Sequence, residues 1–377
     1  MNNLKTKFRL WHVCVLFIFF VLSGLPAYAD LVIPSSRVTS HLNVRQQPDV
    51  NSPVVGTLSP GESAKLAGSV PHWYRVTLVN GTQGFVSKAW AQVVSGVLDA
   101  EKKIRVGSWN IKKLGHNNPK DFPLVAKIIN SNFDILAVVE VMQKQGGHPG
   151  YEALLSELGS GWSGLVTDTP RPNTNAGHAE YYAILYRSAL VRTCEGWNKL
   201  IYHVDNDGSE NGAGDDHFSR EPAFGCFEVP VDDGSIGFDF LIAAYHARWA
   251  DGKVSEISAE VGHLGEVFAA MEAARPGERD IFIAGDFNLV PDDLQQVIAV
   301  SDRTKGSGST LNNQGERTNN LYDHFLVLDL EATSEMIDDP EVLDVRGVAA
   351  NDKTYFNTVS DHLPIFVKMR CSGPDDD

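Results

Sequence analysis

The sequence predicts an α/β domain of two packed β-sheets flanked by helices, preceded by a small all-β barrel. From residue 104 onward, apolar runs of strand length alternate with segments of helical periodicity. Residues 36–95 instead contain short alternating runs, with turn signals about every ten residues. A length of 377 residues is also long for one hydrophobic core, which favours two domains.

The first 29 residues have the pattern of a secretory signal. Basic residues precede an apolar run over residues 13–22, and Ala27-Tyr28-Ala29 offers a small-x-small cleavage site. The apolar run is too short for a membrane span, so no transmembrane anchor is expected. We predict cleavage before Asp30 and export to the periplasm or the medium.

The charge of the chain restricts its ligands. The net charge of −16 becomes −19 when the signal, with its three basic residues and no acid, is removed. A chain this acidic has no general electrostatic attraction for nucleic acid. Any phosphate must therefore be bound locally, through cations.

Residues 36–95 are predicted to form the barrel, with Trp73, Tyr74, Phe85 and Trp90 available to fill it. The stretches LNVRQQP, WYRV and NGTQGFVS resemble a bacterial SH3-like domain. That resemblance implies a cell-wall or peptide ligand, although a stabilising or spacing module is an equal alternative. Residues 96–103 are expected to be a linker, and the protein is expected to be a monomer.

Three cysteines remain after removal of the signal, and export permits a disulfide. Cys194 and Cys226 both lie in strand-like stretches, so a bridge between neighbouring strands is the preferred pairing. Cys371 would then be unpaired.

Polar side chains gather at the ends of the predicted strands. Each alone is most simply a turn former or a helix cap. In open α/β sheets, however, ligands bind at strand ends, so a set of such endings predicts a single site. The residues are Asn110, Glu140, Glu180, His246, Asp286, Asn288, Asp323, Asp361 and His362. A single amphipathic helix is expected over residues 254–275.

Seven motifs of the second domain occur in an order that is typical of one protein superfamily. WNIKKLG, DILAVVEV, EYYAILYR, AYHARW, IAGDFN, LYDHFLV and VSDHLPI occur in sequence over residues 104–370. They resemble the endonuclease/exonuclease/phosphatase superfamily, and DDHFSREPAF and TNNLYDHFLV are similar to its secreted deoxyribonuclease I branch. The resemblance implies the two-sheet fold, a catalytic domain over residues 104–371 and an acidic tail at 372–377.

Hydrolysis of a phosphodiester requires a base, an acid and neutralisation of phosphoryl charge. A hard divalent cation on oxygen ligands and two histidines supply all three. By resemblance, Glu140 is the principal ligand of Mg²⁺ (or Mn²⁺), with Asp361 and Asn110 nearby.

The resemblance also assigns the proton transfers. His362 is the general base, oriented by Asp323, and His246 is the general acid, oriented by Glu180; the acid and base assignments can be exchanged. By the same resemblance, Asp286 and Asn288 hold the phosphate and the attacking water molecule. Arg220 contacts the phosphate.

Residues 205–222 form an acidic, glycine-rich segment. The resemblance implies a structural Ca²⁺ site there, formed by Asp207, Asp216, the carbonyl of Phe218, and Glu221. The small disulfide of the family is missing from this loop. A solvated loop without calcium is the alternative.

Two further positions bear on the substrate. Met142 and His178 stand where the similar enzymes have an arginine and a tyrosine that enter the DNA minor groove, which weakens groove readout. A nonspecific DNA endonuclease is the first hypothesis, with single strands, RNA or a smaller diester open as substrates. The alternatives are a phospholipid or inositol phosphate hydrolase and an inactive binding protein on this scaffold.

Overall fold

The computed structural model describes residues 31–371, except for residues 36, 61, 79–80, 95–101, 117–118, 173–178, 206–207, 210–212, 215–216, 231–235, 299–300, 303 and 329–334. The predicted signal and acidic tail, and most of the predicted linker, lie outside the described residues. The chain divides into two compact units between residues 99 and 100. Within the described residues no helix has the length and apolar character needed to cross a membrane.

The first unit is an antiparallel seven-stranded sheet. Its strands are β1 (Leu31–Pro34), β2 (Leu42–Arg45), β3 (Val54–Leu58), β4 (Ala64–Val70), β5 (Trp73–Thr77), β6 (Gln83–Ser87) and β7 (Ala91–Val94), in the order β3-β2-β6-β5-β4-β1-β7. Alternate residues such as Val44, Val76 and Val86 point into one small core, as strand periodicity requires. The all-β prediction is confirmed, and the sheet begins at Leu31, before the predicted start at residue 36.

The second unit contains two mixed seven-stranded sheets. The first sheet consists of β8 (Lys103–Leu114), β9 (Ile135–Met142), β10 (Trp162–Val166), β11 (Arg171–Pro172), β12 (Ala179–Arg187), β22 (Glu341–Val342) and β23 (Ile365–Arg370). The second sheet consists of β13 (Arg192–Thr193), β14 (Ile201–Tyr202), β17 (Ala223–Pro230), β18 (Ile236–His246), β19 (Ile281–Asp286), β20 (Ser301–Asp302) and β21 (Asp323–Val327). A short ribbon pairs β15 (Gly208–Ser209) with β16 (Ala213–Gly214).

The two sheets pack face to face. Alternate residues of strand β18 lie in two different cores. Phe240 and Ile242 lie in the core between the sheets, whereas Leu241 and Ala243 lie in the core beneath the helices. Both faces of the strand are therefore buried. The predicted arrangement of two sheets flanked by helices is confirmed.

Helices cover the outer faces. They are α1 (Phe122–Asn132), α2 (Pro149–Leu158), α3 (Val254–Val261), α4 (Leu264–Ala274), α5 (Pro291–Leu294) and α6 (Asp352–Thr358), with a 3₁₀ turn at Arg346–Val348. The start of α1 is capped by Asp121, whose carboxylate accepts a hydrogen bond from the backbone N–H of Leu124 at 3.0 Å.

The single helix predicted over residues 254–275 is wrong, because the segment forms two helices. Helix α3 ends at Val261, and the N–H of His263 donates to the carbonyl of Glu260, three residues back, at 3.1 Å. Glycine has low helix propensity, so Gly262 permits this break. The apolar periodicity continues across Gly262, so the break between α3 and α4 could not be predicted from the sequence pattern.

The predicted disulfide between Cys194 and Cys226 is present, with a Cα–Cα distance of 5.4 Å. It follows from the pairing of β13 with β17, which brings the two segments side by side. Cys371 is a free, buried thiol.

Candidate active site

Three predicted site residues lie side by side at one edge of the second sheet. Strands β18 and β19 are parallel and place His246 opposite Asp286. Strands β19 and β21 are antiparallel and place Asp286 opposite Asp323. The register of the sheet thus brings together residues that are distant in the sequence.

The first sheet contributes Asn110 and Glu140 from the parallel strands β8 and β9. The amide nitrogen of Asn110 donates to Glu140 Oε1 and to Asp286 Oδ2, both at 3.0 Å. Asn110 therefore links the polar ends of the two sheets.

His246 is oriented by a buried carboxylate, as predicted for the general acid. Its Nδ1 lies 2.8 Å from Glu180 Oε2, and the exposed fraction of its side chain is 7 %. Burial and the charge of Arg220 lower the pKa of His246, but Glu180 and Asp286 raise the pKa further, so the net shift is upward.

His362 has the same arrangement. Its Nδ1 lies 2.7 Å from Asp323 Oδ2, and Asp323 is completely buried. Burial lowers the pKa of His362, but Asp323 and Asp286 outweigh it and hold the pKa well above its usual value. Each predicted pairing of a histidine with its carboxylate occurs in the structure.

Asp286 lies between the two imidazoles. Its Oδ2 is 3.7 Å from Nε2 of His246 and 3.5 Å from Nε2 of His362. Its Oδ1 accepts the backbone N–H of Asn288 at 3.0 Å, and the amide of Asn288 donates to the carbonyl of Ala247 at 3.0 Å. All these groups therefore face one small volume.

The residues at Glu140 fit a hard cation. Glu140 has φ of 58°, which is unusual for a residue other than glycine and is characteristic of functional sites. Its carboxylate is fixed by Asn110 and by the backbone N–H of Lys113, at 2.8 Å from Oε2. Asn110 Oδ1 is buried and has no hydrogen-bond partner in the described part of the chain. Carboxylate and amide oxygens are the donors that Mg²⁺ prefers.

Asp361, the third predicted metal ligand, is paired with a lysine. Its Oδ2 forms an ion pair with Lys112 Nζ at 2.9 Å, and 30 % of the side chain is exposed. The ammonium of Lys112 also lies 3.9 Å from the centre of the Phe356 ring. A metal role for Asp361 stays a prediction.

Arg220 is completely buried and held by the backbone. Its Nε donates to the carbonyl of His246 at 3.0 Å and its Nη2 to that of Ala247 at 2.7 Å. Its Nη1 lies 3.5 Å from Glu180 Oε1. Arg220 lines the cavity and supplies a positive charge beside His246.

The predicted calcium set is described only in part. Asp207 and Asp216 lie outside the described residues. The side chain of Phe218 is buried against Tyr245, and Glu221 Oε2 forms an ion pair with Arg171 at 2.5 Å. Structural Ca²⁺ stays a prediction.

Several residues that contribute to the site were not predicted. Tyr182 accepts the backbone N–H of His246 through its hydroxyl at 3.2 Å, and Ser309 Oγ accepts the N–H of Asp323 at 3.1 Å. Trp249 and Tyr322, with ring centres 6.4 Å apart, line the cavity of about 310 Å³ in front of the histidines. Trp249 lies in the motif AYHARW and Tyr322 in LYDHFLV, so the aromatic residues near His246 and Asp323 were the available signal.

Met142 and His178 occupy the two positions at which the similar enzymes contact the DNA minor groove, and the structure describes only Met142. Met142 is 1 % exposed, so its side chain cannot enter a DNA groove. His178 lies outside the described residues.

Comparison with known proteins identifies both units. Residues 40–92 match the model of the bacterial SH3 domain, and residues 107–362 match the endonuclease/exonuclease/phosphatase family. The second match covers more than half of the chain, so the chain belongs to the endonuclease/exonuclease/phosphatase family. Enzymes of this family hydrolyse phosphodiesters and generally use divalent metal ions.

A relative in Thioalkalivibrio sp. (strain K90mix), named deoxyribonuclease, is 34 % identical over 276 residues, which is 70 % of each chain. A solved structure of an endonuclease/exonuclease/phosphatase from Bacteroides vulgatus is 16 % identical with a TM-score of 0.49, covering 72 % of this chain and all of the other. A mannosyl-6-phosphatase from Bacteroides thetaiotaomicron is 18 % identical with a TM-score of 0.46, covering 70 % and 98 %.

Proposed function

We propose that this chain is an exported phosphodiesterase that uses Mg²⁺ or Mn²⁺ and cleaves DNA as a nonspecific endonuclease. The observation that carries the proposal is the pair of imidazoles, each with a carboxylate on Nδ1 and each directing Nε2 toward Asp286 Oδ2 across one cavity. The deoxyribonuclease named among its relatives supports DNA as the substrate.

Different residues of the chain donate the proton, accept the proton and orient the phosphate. Glu180 fixes the tautomer and orientation of His246, which donates a proton from Nε2 to the leaving oxygen. Asp323 does the same for His362, which accepts the proton of the attacking water at Nε2. Asn288 and Arg220 orient the phosphate.

Glu140 and Asn110 would hold the cation, with Asp361 as a further ligand. When bound, the cation neutralises charge on the phosphoryl oxygens. The exposed Trp249 and the half-buried Tyr322 line the cavity and offer aromatic faces to a base or sugar beside the scissile phosphate. This feature favours a nucleic acid over a phospholipid or inositol phosphate.

Plasmid nicking tests the proposal. His246→Ala and His362→Ala should each abolish nicking, while binding of Mn²⁺, measured by calorimetry, persists in both. EDTA should abolish wild-type nicking. Equal nicking by either variant would remove the acid–base assignment. Digestion of duplex DNA, single-stranded DNA, RNA, sphingomyelin and a chromogenic diester then ranks the substrates, and preferential hydrolysis of the lipid would overturn the DNA assignment.

A further inference from the structure

The SH3 unit contains a groove of about 470 Å³ with an unusual lining. Arg37, His41 and Arg45 line it together with Trp73, Trp90 and Asn43. None of the described lining residues is acidic. The groove therefore combines cationic groups with aromatic faces.

Two arginines are held at the groove, one by an indole ring and a backbone carbonyl and the other by a backbone carbonyl alone. The guanidinium of Arg37 lies 5.4 Å from the centre of the Trp90 ring and donates to the carbonyl of Ala89. Arg45 Nη1 donates to the carbonyl of Ser52 at 2.7 Å, which keeps its charge at the groove. Trp90 is 49 % exposed, so one face of the indole is available to a ligand.

The charge of this unit is opposite to that of the whole chain. Residues 31–94 contain five basic and two acidic residues, a net charge of +3, whereas the full chain carries −16. A local cationic surface in an acidic protein attracts a polyanion specifically to that surface.

We infer that this groove binds single-stranded nucleic acid, with bases stacked on Trp90 and phosphates paired with Arg37 and Arg45. Stacking platforms interleaved with cations are the features by which proteins hold single strands without reading sequence. The carboxylates of a cell-wall stem peptide could pair with the same arginines, but such a peptide has no planar ring to stack on Trp90. The inference concerns a second site and does not require the chain to cleave DNA.

The test uses the full chain carrying His246→Ala, in EDTA, with a fluorescent single-stranded oligonucleotide of about 12 nucleotides. In that background Trp90→Ala should raise Kd about tenfold by fluorescence anisotropy, since each stacked base contributes this order of affinity. Trp90→Phe, which keeps an aromatic face, should retain most of the affinity. An unchanged thermal midpoint shows that the unit remains folded.

Arg37→Ala should reduce the slope of log Kd against log salt by about 0.7, the value for one phosphate contact on a single strand. Arg75→Ala is the matched control, because Arg75 is equally basic and exposed but does not line the groove. It should leave Kd and the slope close to those of the parent.

Two outcomes would overturn the inference. One is equal oligonucleotide affinity in Trp90→Ala and the parent. The other is binding of a soluble cell-wall stem peptide that Trp90→Ala abolishes while oligonucleotide affinity is kept. Nicking by the wild-type chain is measured separately, so failure of the proposed function and failure of the groove give different results.

Discussion

His246 ends strand β18 of the second sheet and His362 lies just before strand β23 of the first, yet both direct Nε2 toward the same oxygen, Asp286 Oδ2, at 3.7 and 3.5 Å. The two Nδ1 atoms face away, toward Glu180 and Asp323. This opposed arrangement places the two imidazoles on either side of one volume. It gives Asp286 a position that no other described acid shares.

Asp286→Asn should therefore lower kcat for plasmid nicking by about 10²- to 10⁴-fold, the range for groups that participate in proton transfer. Asp292→Asn makes the same change in charge at an exposed position on α5 and serves as the control. Nicking by Asp286→Asn at close to the wild-type rate would contradict the shared role.

The two orienting carboxylates should differ in their effect on stability. Glu180→Gln and Asp323→Asn should each reduce nicking strongly, because each removes the charged carboxylate that holds its imidazole at Nδ1. Glu180 also faces the buried guanidinium of Arg220 at 3.5 Å, so Glu180→Gln should in addition lower the free energy of unfolding by about 3 kcal/mol. Urea unfolding of both variants measures the difference, and equal stabilities would refute it.

Trp249→Ala should weaken substrate binding more than chemistry. The side chain is 44 % exposed and lies at the rim of the cavity with Tyr322. Loss of one stacked base should raise KM for single-stranded DNA about tenfold, with a smaller change in kcat. KM for a nitrophenyl diester, which is small, is the internal control. Trp249→Phe should restore most of the DNA affinity if stacking is the cause.

The stability of the catalytic unit should depend on pH through His324. Its Nδ1 lies 2.9 Å from Asp302 Oδ2 and its Nε2 lies 2.8 Å from the carbonyl of Leu289, so both ring nitrogens face acceptors. Burial lowers the pKa of His324, but the hydrogen bond and charge of Asp302 outweigh it and raise the pKa above 6.5. Burial raises the pKa of Asp302, but His324 outweighs it and lowers the pKa below 3.8.

A raised histidine pKa contributes stability that is complete below about pH 6.5 and is lost as the pH rises through the folded-state pKa. The lowered pKa of Asp302 contributes stability above about pH 4, which is lost as the pH falls. His324→Gln should thus cost on the order of 3 kcal/mol near pH 5.5 and less at pH of about 9. Guanidinium unfolding across this range measures the difference, and a difference that does not vary with pH would be inconsistent with the ion pair.

The disulfide should stabilise the catalytic unit by roughly 3 to 4 kcal/mol, the loop-closure value for a separation of 32 residues. The double variant Cys194→Ser, Cys226→Ser should show this loss in guanidinium unfolding. Reduction of the wild type should reproduce it. Cys371→Ala, which removes the free thiol, should leave the effect of a reductant unchanged.

Much of the fold could be predicted from local pattern. Strands β9 and β18 are continuous apolar runs because each is buried on both faces, and that signal is strong in a single sequence. The break between α3 and α4 was missed because the apolar face continues through Gly262. The pairings of His246 with Glu180 and of His362 with Asp323 followed from the family resemblance and occur in the structure.

Local patterns in the sequence predicted the two-unit organisation, the layered α/β class, and a set of residue types suited to metal-assisted phosphodiester hydrolysis. They did not predict that Asp286 lies within 4 Å of both imidazoles, that Arg220 is held by backbone carbonyls, or that Asp361 pairs with Lys112. The reason is the sequence separation of the contacts. Periodicity and motif order report on neighbours along the chain, whereas contacts such as Asn110 with Asp286 join residues 176 positions apart and depend on the register of two sheets.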